Sequence, residues 1–213
     1  MTRGRRRGGL ALLLLATIGA GCASQKQYRV DFSEAPRDYL PNDYSSVYQR
    51  WTRHDYATVQ TVDKALEVWG TFKSWDFREA FLEKYASIYS LSDAKRAELR
   101  QAQREDYHVA YEFHLIAQSA SWDWNDLEKS KTPWVLTLVD ALGHELPSEK
   151  VEIAKYPDAF EREFFPARGP FTKSYKVRFI IPAPGADFVG PKSGSLTLRI
   201  ASPIGRIDLL WKS

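Results

Sequence analysis

Cysteine is nearly missing from this 213-residue chain. The single one is Cys22, so no intramolecular disulfide framework can hold the fold and a hydrophobic core must do so. Methionine is as scarce, the only one being Met1. The apolar run from Leu10 to Gly21 has twelve residues. At the helical rise it spans about 18 Å against about 30 Å of bilayer hydrocarbon, so a membrane span is excluded there.

Several catalytic signatures are missing too. There is no G-x-S-x-G elbow for a serine hydrolase, and "GPKSGS" at 190–195 lacks the order of a phosphate-cradling P-loop. "GHELPS" starts like a zinc-protease helix, but Ser148 stands where the second His is needed and Pro147 would break the helix. Both stretches read as turns. "DWNDLEKS" gathers Asp123, Asn125 and Asp126, yet Leu127 occupies the third ligand position of an EF-hand-like loop.

What is present begins with Arg3, Arg5, Arg6 and Arg7, followed by the apolar run and then Gly19, Ala20 and Gly21. That is the n-region, h-region and cleavage-site order of a secretory signal, which takes residues 1–21 out of fold reasoning. These arginines also account for the apparent basicity. The chain carries a formal +3, but without residues 1–21 it has 26 basic against 27 acidic side chains. Such a balance, without a Lys/Arg block, offers no electrostatic footprint for nucleic acid.

"IGAGC" resembles the lipobox of bacterial lipoproteins, with Ala20 and Gly21 at the small positions and Cys22 at the modified one; Gly19 stands where that family usually has a branched apolar residue. The resemblance covers about the first 24 residues. It implies that Cys22 becomes an acylated N-terminus, anchored in the membrane by more chains than the two signals stable anchoring needs. Ala23 and Ser24, in place of the Asp that retains such proteins at the inner membrane, imply outer-membrane delivery. No cofactor is implied.

Residues 22–42 lack a sustained period and contain two prolines, so they read as a flexible tether reaching on the order of 65 Å at full extension. From 43 to 213 we expect one domain. Tyr44, Val47, Tyr48 and Trp51 recur at helical spacing behind a capping Asn42 or Asp43. Alternation over 64–73 predicts a strand, Ser74 can cap a packed helix carrying Phe81, Leu82, Tyr85, Ile88 and Tyr89, and Ser92 opens a more solvated one. Together these form a helical segment at about 75–105.

From 107 onward the period becomes two. Tyr107, Val109, Tyr111, Phe113 and Leu115 share one face of a long, half-buried strand. "PWVLTLVDALGHELPSEKVEIA" reads as two strands about Gly143, and "SYKVRFIIP" as another. The last stretch reads as a hairpin across Ser202 to Gly205, with Leu196, Leu198 and Ile200 beside Ile207, Leu209 and Trp211. The expected class is α+β: an antiparallel, immunoglobulin-like β-sandwich, mainly over 107–213, with a short N-terminal helix and a helical insertion.

Two clusters are candidate sites. His108, Glu112 and His114 fall on one strand face at metal-ligand spacing, although an ordinary exposed polar face explains them more simply. Trp122 and Trp124, flanking Asp123, resemble the stacking rings of sugar-binding modules, with packing under a loop as the plainer alternative. No catalytic constellation is visible. The sequence therefore points to a non-catalytic, lipid-anchored envelope lipoprotein that binds an envelope protein, with a glycan- or peptidoglycan-binding module or an envelope enzyme as alternatives.

Overall fold

The computed structural model describes residues 28–59, 63–119, 124–166, 171–182 and 188–213. Among the described residues nine strands form two antiparallel sheets accompanied by four α-helices, an α+β arrangement as expected. One sheet contains β1 (Thr52–Val59), β2 (Asp63–Phe72), β3 (Ala110–Gln118), β7 (Thr172–Ile180) and β6 (Lys150–Ile153) in the order β1-β2-β3-β7-β6. The other contains β4 (Val135–Asp140), β5 (Glu145–Pro147), β8 (Ser195–Ser202) and β9 (Gly205–Lys212), ordered β5-β4-β8-β9. The helices are α1 (Tyr44–Trp51), α2 (Trp75–Ile88), α3 (Asp93–Tyr107) and α4 (Asp158–Phe164).

The two sheets are packed sandwich-like through aromatic and branched residues on alternating positions. Leu196, Leu198 and Ile200 pair with Trp211, Leu209 and Ile207 in the register expected for the final hairpin, and all six are buried. Trp211 reaches Phe113 at 5.5 Å between ring centroids, and its Nε1 donates to the Trp51 carbonyl at 2.9 Å. Burial of an aromatic side chain of this size is worth on the order of 5 kcal/mol before entropy. The sheets approach so closely at Gly70 that a Cβ there would run into Leu209 Cδ1.

Strand β1 has little alternation to betray it, with only Ala57 among its described side chains buried. Its polar groups serve instead to join the sheets. Arg53 Nε donates to the Leu210 carbonyl at 2.8 Å, and the Asp208 amide donates to Asp55 Oδ2 at 3.4 Å. Burial brings the Arg53 pKa down to about 10.

A third layer covers the other face of the five-stranded sheet. His114 of β3 stacks on Phe165 at 3.7 Å, and Phe165 in turn meets Tyr48 of α1 and Phe77 of α2. This corrects the expectation of a half-buried strand: β3 is buried on both faces because helices cover the side that its polar residues had marked as solvent-facing. The strand also starts at Ala110, since α3 continues through Tyr107.

Other boundaries shift for local reasons. Ser74 and Ser92 cap α2 and α3 as expected, each accepting an amide three residues on. Asp43 occupies the N-cap position of α1, as expected, but its carboxylate accepts the Leu40 amide and closes the preceding 3-10 turn instead of bonding to the helix. The stretch after Gly143 divides between sheets, β5 returning along β4 while β6 joins β7. Gly143, at φ +86°, makes that reversal possible. Ile88, the last residue of α2, and Tyr89 at its C-cap are half-exposed, lying beyond the covered part of the helix.

Within the segment expected to be a tether, Val30 and Phe32 are buried, and the Val30 amide donates to the Lys212 carbonyl at 2.8 Å. The described part of that segment, from Tyr28 on, is thus packed against the domain. Arg37 and Tyr39 extend the contact by donating to Asp76 at the start of α2.

Candidate functional site: an aromatic cavity over a paired cationic floor

His108, Glu112 and His114 do not converge. His108 terminates α3 rather than lying on the strand, and its Nε2 is 2.9 Å from Glu34 Oε2. His114 is 1% exposed, under Phe165, with its Nε2 4.0 Å from Glu161 Oε1. Glu112 belongs to a separate ion-paired group. Among the described residues no set of three His, Cys, Asp or Glu side chains could hold a metal ion. The simpler reading, an exposed polar face, is corrected as well, because the helical layer encloses Glu112 and His114.

Of the proposed sugar contacts, Trp122 and Asp123 lie outside the described residues, as does Cys22. Trp124 is partly buried, and its carbonyl accepts from Trp134 Nε1 at 2.9 Å. The neighbouring polar residues do structural work. Asn125 is buried, donating from Nδ2 to the Ala117 carbonyl while its Oδ1 accepts from the Tyr175 hydroxyl, both at 2.9 Å. Asp126 Oδ1 accepts from Thr132 Oγ1 at 2.9 Å. Among the described residues no helix is long and apolar enough to cross a membrane.

The helical layer does enclose a cavity of about 230 Å³. Its walls are Phe77 and Phe81 from α2, Tyr156 from the preceding loop, Phe160 from α4 and Phe165 at that helix's end. The rings are packed against one another: Tyr156 and Phe160 lie 4.9 Å apart, and Phe77 and Phe81 stack at 6.2 Å. The polar lining is Lys73 at the end of β2, Arg78 on α2 and Gln103 on α3. No carboxylate is among the described residues that line it.

Carboxylates stand behind that lining and fix it. Arg78 Nη2 is 2.9 Å from Glu112 and 3.1 Å from Asp106, while Lys73 Nζ is 3.5 Å from Glu112. From β7, Arg178 Nη1 reaches Asp106 at 2.9 Å and Glu112 at 3.3 Å, and its Nε is 3.9 Å from Glu149. Burial pushes the Glu112 pKa up, but Lys73, Arg78 and Arg178 outweigh it and hold the carboxyl below the usual glutamate range. It is ionised at neutral pH, the opposite of what a general acid requires. Burial lowers the Lys73 pKa, and the pairing with Glu112 offsets part of that. The Tyr156 hydroxyl is pushed up to about 12, chiefly by burial and then by nearby carboxylates, so it stays neutral.

The arrangement is suited to binding. Concave, mostly apolar walls with a few oriented polar groups are the usual form of a recognition pocket. Sequence reasoning missed it because α4 carried no assignment, although the signs were there: Pro157 before the first turn, Asp158 within it, and Phe160 and Phe164 four apart.

No family model, curated protein or solved structure matches this chain.

Proposed function

We propose that this chain is a lipid-anchored, non-catalytic envelope lipoprotein, held at the outer membrane through acylated Cys22, whose domain binds an envelope protein partner. The observation that carries the binding role is the aromatic cavity with its charged groups tied into ion pairs. Lys73, Arg78 and Glu112 are positioned by one another, and their pairing fixes geometry rather than moving protons. The anchor rests on the order of arginines, apolar run, small residues and Cys22 at the start of the chain. The immunoglobulin-like description of the sandwich belongs to the same proposal; its measure is the angle between the sheets, about 30° in aligned sandwiches.

The test of the anchor is fractionation of cells producing the wild-type chain or Cys22→Ser. Wild type is expected in the membrane fraction and the variant in the soluble one. A variant that stays membrane-bound to the same extent contradicts the anchor. The binding role is tested separately by crosslinking in intact cells from position 160, a partly exposed ring of the cavity wall.

A further inference from the structure

The donors of the cavity lining exceed the protein acceptors available to them. Arg78 spends Nε on the Lys73 carbonyl at 3.1 Å and Nη2 on Asp106 and Glu112, while Nη1 makes no hydrogen bond to any described residue. Lys73 Nζ has three donors and makes one long bond, at 3.5 Å. Gln103 adds an amide on the same lining, and among the described residues there the only charged ones are the two cations. The other described lining residues are aromatic.

We propose that the cavity takes an aromatic carboxylate: a flat ring lying against the wall formed by Phe77, Phe81, Phe160 and Phe165, with its acid group on Lys73 Nζ and Arg78 Nη1. This rests on reading the cavity as the binding site of the module, and adds to it the chemistry of the ligand. Size agrees, since a cavity of about 150 Å³ already holds a benzene ring and this one, at about 230 Å³, has room for a second ring or a short acid arm. Charge agrees too. An aryl cation would face Lys73 and Arg78 with no carboxylate among the described lining residues, whereas an acid accepts from both cations. Offset and edge-to-face contacts with the five wall aromatics give the ring its share of the affinity. The same chemistry occurs in a free aryl acid and in the C-terminal aromatic residue of a protein chain.

Isothermal titration of the purified full chain with 2-naphthoate is expected to give a dissociation constant on the order of 10–100 µM. The neutral 2-naphthamide and the cationic 2-naphthylmethylamine should bind at least about tenfold more weakly. Gln103→Glu places a negative charge on the lining from a half-exposed helix position, leaving the core intact, and should weaken naphthoate by about tenfold with an unchanged melting temperature. Lys73→Met should weaken it as well. Acetyl-Ala-Ala-Trp and its C-terminal amide separate the two sources: binding of the acid but not the amide assigns a chain end, and naphthoate binding with neither peptide assigns a free acid. No naphthoate binding, equal affinity for the three naphthyl probes, or a Gln103→Glu variant that binds as wild type overturns the proposal. If that happens while position 160 still crosslinks a discrete partner, only the ligand class falls and the binding-module reading stands.

Discussion

Removing the carboxylate of Asp76 should be among the most damaging single changes to the domain. Its side chain is 1% exposed and receives Arg37 Nη1 at 2.8 Å, Arg50 Nη1 at 3.1 Å, Trp51 Nε1 at 2.7 Å and the Tyr39 hydroxyl. One acid thereby ties the N-terminal segment and α1 to the start of α2. In Asp76→Ala, Trp51 Nε1 loses its acceptor inside the core, which costs about 1–3 kcal/mol. Arg37 and Arg50, 27% and 30% exposed, can partly rehydrate, so they add less than fully buried cations would. The whole loss should be about 3–5 kcal/mol, the usual cost of breaking a buried ion pair from one side. For a domain of this size that is roughly 10 °C in melting temperature. Urea unfolding followed by circular dichroism measures it, with Trp51→Phe completing a double-mutant cycle. A loss below about 1 kcal/mol for Asp76→Ala, or strict additivity with Trp51→Phe, would refute this reasoning.

Glu112 sets a pH dependence. Its folded-state pKa lies below the ordinary value, so the stability it contributes is complete above about pH 4.5 and is lost as pH falls through the lower folded value; urea midpoints should decline more steeply in that acid range for wild type than for Glu112→Gln. Asn125→Ala removes a buried donor to Ala117 and an acceptor for the Tyr175 hydroxyl, and should cost about 2–3 kcal/mol in chemical unfolding, whereas Asn125→Asp, which cannot donate to the carbonyl, should not restore stability. Gly143→Ala meets open space but must hold φ at +86°, so a loss of about 1 kcal/mol is expected, and Gly143→Asn should recover part of it.

The final hairpin was legible residue by residue because both faces of its alternation are informative: apolar residues point to one neighbouring layer, and Ser202 to Gly205 supplies the turn. The α2 and α3 starts were legible from Ser74 and Ser92 for an equally local reason. Strand β3 shows where such reasoning stops. Its even-numbered positions, Glu112 and His114, have the polarity of a wet face, but the cover comes from Phe165, some fifty residues later, and from α1 and α2. Strand β1 was unreadable because its Arg53 and Asp55 satisfy the neighbouring backbone of β9, a task that leaves no hydrophobic period. The cavity was invisible for the same kind of reason. Lys73, Arg78, Gln103 and Phe160 look ordinary in their own segments and acquire meaning only when the helical layer brings those segments together.

Photocrosslinking in intact cells tests the proposed membrane-anchored module and its binding through the helix-covered face. A benzophenone amino acid replaces Phe160, a partly exposed ring of the cavity wall, or Lys95 on the solvated α3 as control, each with Cys22 intact or changed to Ser. One discrete adduct is expected from position 160, absent from position 95 and diminished when Cys22 is replaced. Identical adduct patterns from both positions, or an adduct from position 160 indifferent to Cys22→Ser, would contradict it.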